Sequence, residues 1–296
     1  MRNSLANSII QKAKVDPNLF LIVGDAGLGL FDTFQVDFKE QYLNAGINEA
    51  CSVGMAAGLA LSGKKVIYYN IAPFSLMRPY EQVRNDICYQ ELPVIVVGIG
   101  SGLTYAPAGV THYAVEDIAI ALTIPNLQIF SPCDANETVA CFEYAYSSNK
   151  PSYIRIPKNG DPIYNKSVDD ITKLQEIKMG ESKIAFVTHS NLITEVMNAA
   201  DHFDASVYTM PFINSKFNYD DVLGKYQYVF VIEEAFEYGS LGSYIREHSK
   251  INANKIGIKN HFIHKIGNQQ FLRKLLKIDS CGIIERVKDS MRNVFL

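Results

Sequence analysis

Asn44 to Leu61 read NAGINEACSVGMAAGLAL, eighteen residues in which Glu49 is the only charge and small or apolar side chains fill nearly every other position. From Ile47 to Leu61 the spacing predicts a helix with little polar surface. Ahead of it Phe20 to Val23 is a short apolar run ending in Gly24 and Asp25, and behind it Lys65 to Tyr69 is a second strand-length run. Strand and helix alternating in this way is the signature of a βαβ unit. The unit repeats outward: Val94 to Val97 and Leu127 to Phe130 read as strands, and Tyr80 to Tyr89, Val115 to Leu122 and Glu137 to Tyr146 read as helices. The expected fold is therefore α/β, a doubly wound and mainly parallel sheet covering residues 1–165.

From Pro157 to Glu181 the chain turns polar and carries glycine and proline, which predicts a domain crossing with its linker at 166–180. The alternation resumes with Ile184 to Thr188, a helix from Leu192 to His202, strands at Ser206 to Met210 and Tyr228 to Ile232, and a helix from near Gly239. A second, smaller α/β domain is expected over 181–296.

The chain has 296 residues, 48% of them hydrophobic and 20% charged, a globular balance with room for two cores. A formal charge of −3 leaves no global field to attract nucleic acid, so an anionic ligand has to be met locally. Apolar runs such as Pro93 to Val97 fall far short of the roughly 18 residues a membrane span needs, and the N-terminus lacks the pattern of a signal peptide. A cytoplasmic protein without a membrane role is expected. The five cysteines are odd in number and form no CxxC pair, which predicts reduced thiols in the core and no metal site of their own.

Two glycine-rich turns, Gly24 to Gly29 and Gly98 to Gly102, each follow a strand. Neither completes a dinucleotide fingerprint or a phosphate loop, so both read as turn geometry. Glu49 is the sharper feature. On physical grounds alone it has two readings: a desolvated acid sharing a strong hydrogen bond, or an exposed first-turn carboxylate complementing the positive end of the helix.

The 44–61 block resembles the helix of transketolase-type, thiamine-diphosphate-dependent enzymes, in which a GIxE core precedes a GMAAGLA run. More blocks match in order. Arg78 to Asn85 (RPYEQVRN) is similar to the family's RAxDQIR helix, and Gly109-Val110-Thr111-His112 with Glu116-Asp117 to its GxTH segment. Pro125-Asn126 and Ser131 to Glu137 resemble its IPN and PxDxxE blocks. Val187-Thr188-His189 with Glu195, Val231 to Glu234, and Gly239 to Ser243 resemble the VTxG, VEEH and GGLGS blocks of the C-terminal transketolase domain. The likeness extends from about Leu19 to Ile283 and identifies the first domain as pyrimidine-binding and the second as the C-terminal transketolase domain.

The resemblance implies roles. Glu49 falls on the cofactor-activating glutamate, which hydrogen-bonds N1′ of the aminopyrimidine and favours the imino tautomer that takes the thiazolium C2 proton. Phe74 falls on the aromatic that stacks on the pyrimidine. His112 is implied as a catalytic and substrate-binding imidazole, and Arg78 and Lys158 as cations for an acceptor's phosphate, with lysine at 158 standing where arginine is commoner. Family members with a complete site bind Mg²⁺ and the diphosphate through a GDG motif in an additional N-terminal domain. Here only Gly24-Asp25-Ala26-Gly27 stands near the start. The chain thus looks like the second half of a split transketolase, with a separate partner subunit supplying the Mg²⁺ and diphosphate site in an α2β2 assembly.

Two departures bear on the substrate. Ala108 replaces an aspartate that contacts a donor hydroxyl, and Gly100 replaces a histidine that helps to hold phosphate, which puts ordinary pentose-phosphate exchange in question. The expected activity is transfer of a two-carbon unit from a ketose or 2-oxo acid to a carbonyl acceptor, as in bacterial sugar modification. Its rivals are the β subunit of a 2-oxo acid dehydrogenase and a non-catalytic scaffold subunit.

Overall fold

The computed structural model describes residues 1–158 and 162–292; the last four residues of the expected second domain lie outside that set. Its first sheet holds six strands: β1 (Leu19–Val23), β2 (Tyr42–Asn44), β3 (Lys65–Ile71), β4 (Val94–Ile99), β5 (Gln128–Phe130) and β6 (Ser152–Ile156). They lie in the order β2-β1-β3-β4-β6-β5, and every pair is parallel. The expected α/β architecture is present, with strand boundaries within two residues of those read from the sequence.

The helices are α1 (Arg2–Ala13), α2 (Asp32–Asp37), α3 (Glu49–Leu61), α4 (Tyr80–Gln82), α5 (Asp117–Leu122), α6 (Ala135–Ser148), α7 (Ile193–Phe203), α8 (Tyr219–Leu223), α9 (Leu241–His248), α10 (Gln269–Leu275) and α11 (Ser280–Arg292). Strand side chains alternate faces, so each strand contributes to two cores. Ile22, Val66, Tyr68, Val94 and Val96 meet Val53, Ala56 and Ala60 of α3 and Ile118 of α5 on one face. Leu21, Ile67, Tyr69, Ile95 and Val97 meet Leu5 and Ile9 of α1 and Phe142 of α6 on the other. Both faces are covered, which is why these strands read as continuous apolar runs. Helix α6 shows the local logic of an ending: Asp134 accepts the N–H of Glu137 at its start, and Asn149 closes it in a left-handed conformation at φ 53°.

The second sheet has the order β11-β10-β8-β9-β7, formed by β7 (Gln175–Lys178), β8 (Ile184–Thr188), β9 (Ser206–Thr209), β10 (Tyr228–Phe236) and β11 (Asn254–Ile258). Among the described residues only β7 runs antiparallel to its neighbour in this sheet. This strand lies inside the stretch expected as linker, so the second sheet begins there. Ala185, Val187 and Val231 share one continuous core with α3 and the first sheet, so the two sheets pack as one body.

Two expectations are corrected. The helix read over Tyr80–Tyr89 is one α-turn flanked by wider coils at Pro73–Met77 and Val83–Cys88, where the Arg78 N–H reaches back to Pro73 O and the Tyr89 N–H to Arg84 O. Such widened turns recur at functional sites. The thiols are not all in the core: Cys88, Cys133 and Cys141 are buried, whereas Cys51 and Cys281 lie on exposed helix faces. No helix among the described residues is long and apolar enough to cross a membrane.

Candidate active site

Parallel strands deliver their following loops to one edge, and ligands bind there in open α/β sheets. Glu49 follows β2 as the first residue of α3, Phe74 and Arg78 follow β3, His112 lies in the loop after β4, and Lys158 follows β6. All five residues singled out in the sequence therefore stand at the carboxyl edge of the first sheet. Contacts join them in series. The Arg78 guanidinium donates from Nη1 to Glu49 Oε1 at 2.6 Å, and its Cζ lies 3.8 Å from the Phe74 ring centroid. Phe74 meets the His112 ring edge to face at 5.1 Å. His112 in turn faces Tyr105 at 6.0 Å, over whose ring Lys158 Nζ stands at 4.9 Å.

Glu49 is 8% exposed, which selects the buried reading over a solvated first-turn carboxylate. Arg78 compensates its charge and removes the penalty of an unpaired buried anion. His112 Nδ1 lies 2.9 Å from Thr111 Oγ1, which orients the ring and leaves Nε2 for a ligand. Tyr105 gave no signal in the sequence. Its ring fills the space beside Gly100, where an added Cβ would stand 2.1 Å from Tyr105 Cδ2. The space at Gly100 is therefore shut to a larger side chain by an aromatic, and burial raises that phenol above its ordinary pKa. Ala108 is exposed, and its methyl group offers no hydrogen-bond acceptor there.

The loop carrying Tyr105 and His112 is held at both ends. Gly102 and Ala114 form an antiparallel bridge at its neck, with N–H to O distances of 3.1 and 2.9 Å. Beneath Ala114 the buried Arg155 donates to its carbonyl at 3.2 Å, with Arg155 Nε also 3.2 Å from Asp117 Oδ2. At the other end Glu234 of β10 accepts the N–H of Leu103 at 2.6 Å. Glu234 also accepts from Gln269 at 2.7 Å and pairs with Arg273. The second sheet thus positions a loop of the first.

A second buried cluster invites a different reading. Ser131 Oγ lies 2.9 Å from His189 Nδ1, and His189 Nε2 lies 3.0 Å from Glu233 Oε2, the connectivity of a nucleophile triad. Ser131 is fully buried and His189 1% exposed, so no acyl group reaches the hydroxyl. The backbone N–H groups of Leu241 and Gly242 satisfy Glu233 at 2.9 Å each, and the cluster latches the two sheets together. Among the described residues no group of three or more His, Cys, Asp or Glu side chains is placed to hold a metal ion.

Comparison with known proteins places the chain among relatives of one family. Residues 1–160 match the family model described as the transketolase pyrimidine binding domain. The chain is 30% identical to one of the subunits of apulose-4-phosphate transketolase from Actinobacillus succinogenes, with 96% of each chain covered. It is 28% identical to 1-deoxy-D-xylulose-5-phosphate synthase of Clostridium kluyveri over 95% of this chain and 47% of that protein, and so spans about half the length of such synthases. In fold it is similar to a split-gene transketolase solved as an inactive beta4 tetramer, with a TM-score of 0.83, 23% identity, and coverage of 97% of this chain and 96% of that one.

Proposed function

The chain belongs to the transketolase family, and from that premise we propose that it is the pyrimidine-binding subunit of a split, thiamine-diphosphate-dependent transferase. The observation that carries this reading is the contact series from Glu49 through Arg78, Phe74, His112 and Tyr105 to Lys158 along one sheet edge. The residues present suit the pyrimidine half of the cofactor: a buried carboxylate at a helix start, an aromatic face beside it, and an imidazole at the edge of that face. Thiamine diphosphate, when bound, supplies the electron sink for breaking and forming a carbon–carbon bond.

Glu49 would hold the aminopyrimidine by a hydrogen bond at its ring nitrogen, which the low-dielectric surroundings of the carboxylate would strengthen. Phe74 would support the pyrimidine ring, and His112, oriented by Thr111, would handle a hydroxyl or carbonyl proton of the substrate through Nε2. Lys158 and Arg78 meet an anionic group on the acceptor, for which the relative named for apulose 4-phosphate supports a phosphorylated sugar. The reaction moves a two-carbon unit from a ketose or 2-oxo acid donor to a carbonyl acceptor. Mg²⁺ and the diphosphate are held by a separate subunit, and the two assemble as α2β2. In this reading the domains divide at the polar stretch, 1–165 and 181–296, and the enzyme works in the cytoplasm.

Co-expression with a chain carrying a diphosphate-binding domain tests the proposal. The complex should bind thiamine diphosphate in a Mg²⁺-dependent way and transfer carbon from ketoses, while the isolated chain shows no turnover. Tight Mg²⁺-dependent binding by the isolated chain would contradict the split site, and CO₂ release from pyruvate without ketose transfer would favour a 2-oxo acid dehydrogenase.

A further inference from the structure

The Arg78 guanidinium satisfies two groups at once. It donates to Glu49 Oε1 at 2.6 Å and lies close enough over Phe74 to bring Cζ to 3.8 Å from the ring centroid. A buried acceptor beside a partly exposed aromatic face is also what a pyrimidine ring requires of these residues. Guanidinium is planar, delocalised, rich in N–H donors and prone to stack on aromatic faces, so it matches that surface in miniature. We propose that Arg78 is the resident occupant of the pyrimidine subsite, and that the cofactor enters by displacing its guanidinium from both Glu49 and Phe74. This rests on the roles given above to Glu49 and Phe74.

The geometry suits an occupant that leaves. The Arg78 side chain is 49% exposed whereas that of Glu49 is 9% exposed, so the cation has solvent to move into and the carboxylate does not. Among the described residues Arg78 has no ion pair besides Glu49. Its backbone stands in a widened turn, with the N–H reaching Pro73 O at 3.2 Å, which brings it over Phe74 four residues earlier. Before the cofactor arrives, the guanidinium keeps Glu49 charge-compensated. Once displaced, it becomes the free cation assigned to the acceptor's anion, so that cation is delivered only to a subsite already loaded. An occupant present nine-tenths of the time lowers apparent cofactor affinity by about tenfold.

The test is calorimetric titration of the assembled complex with thiamine diphosphate and Mg²⁺. Arg78→Met keeps the stem and removes the planar cation, and it should bind the cofactor about tenfold more tightly than wild type. In Arg78→Ala, millimolar guanidinium ion should refill the vacated space and weaken cofactor binding competitively, whereas tetramethylammonium should not. Unchanged or weaker binding in Arg78→Met, or no competition by guanidinium, overturns the proposal while leaving the function intact. If the wild-type complex binds no thiamine diphosphate, the functional reading itself falls, and the displacement falls with it.

Discussion

Glu234 Oε1 accepts the backbone N–H of Leu103 at 2.6 Å, so a carboxylate on the second sheet fixes the start of the loop that carries Tyr105 and His112. The contact is close-packed: a Cβ on Gly102, which has φ 59°, would stand 2.5 Å from the same oxygen. Glu234→Ala removes both the acceptor of the Leu103 N–H and the charge facing Arg273, which is 7% exposed. Loss of one partner of a buried pair should cost about 3 kcal/mol, read as a lowered urea midpoint. Turnover of the assembled enzyme should fall beyond what the unfolded fraction explains, because the loop bearing His112 shifts. A variant with wild-type turnover per folded molecule would show that this clamp does not position the loop.

Glu49→Gln is nearly isosteric but cannot serve as the acid that favours the imino tautomer. Exchange of the C2 proton of thiamine diphosphate into D₂O in the assembled complex should slow by about 10²- to 10⁴-fold. Exchange at the wild-type rate would reduce Glu49 to an ordinary buried partner of Arg78.

Gly100 and Tyr105 should behave as a coupled pair. Gly100→His meets both a backbone φ of +94° and the Tyr105 ring, and should destabilise by about 1–3 kcal/mol from the backbone alone, with the clash added. Tyr105→Ala opens the space, so the double variant should be more stable than the sum of the single effects by about 1 kcal/mol or more. Strict additivity in urea unfolding would mean that Tyr105 does not close that position.

Glu137 should give the protein a pH-dependent stability term. It is fully buried and receives hydrogen bonds from Thr209, from the Cys133 N–H at 2.7 Å and from Asn165 at 3.0 Å; burial pushes its pKa up to about 7. Because the folded value lies above the ordinary carboxylate value of 4.5, the native state binds more protons than the unfolded chain between those limits. Its contribution is complete below about pH 4.5 and is lost as pH rises towards 7, by roughly 3 kcal/mol. Glu137→Gln lacks the titration, so its stability relative to wild type should increase between pH 5 and pH 8. Parallel stability profiles would count against a protonated Glu137.

Much of the fold was legible because it is written in local periodicity. Strand-length apolar runs separated by helical spacing imply a parallel α/β sheet covered on both faces, and β1, β3, β4, β8 and β10 lie where those runs are. The strands that escaped did so for two reasons: β6 contains Arg155, which reads as polar although Asp117 offsets its burial, and β2, β7 and β11 are edge strands with short or mixed patterns. Glu49 was conspicuous as the one charge in an apolar helix, and the ordered family blocks pointed to Phe74, Arg78, His112 and Lys158. The sequence by itself could not decide whether Glu49 was buried, or that Arg78, 29 residues away, would take its carboxylate. It also carried no sign that Tyr105 fills the space at Gly100 or that Glu234 anchors the loop from another sheet. Those pairings depend on the strand order β2-β1-β3-β4-β6-β5, which brings loops distant in the chain to one edge, and on the packing of the second sheet against the first. Hydrophobic periodicity is a property of neighbours along the chain, whereas a site assembled from separate loops exists only once the sheets have packed.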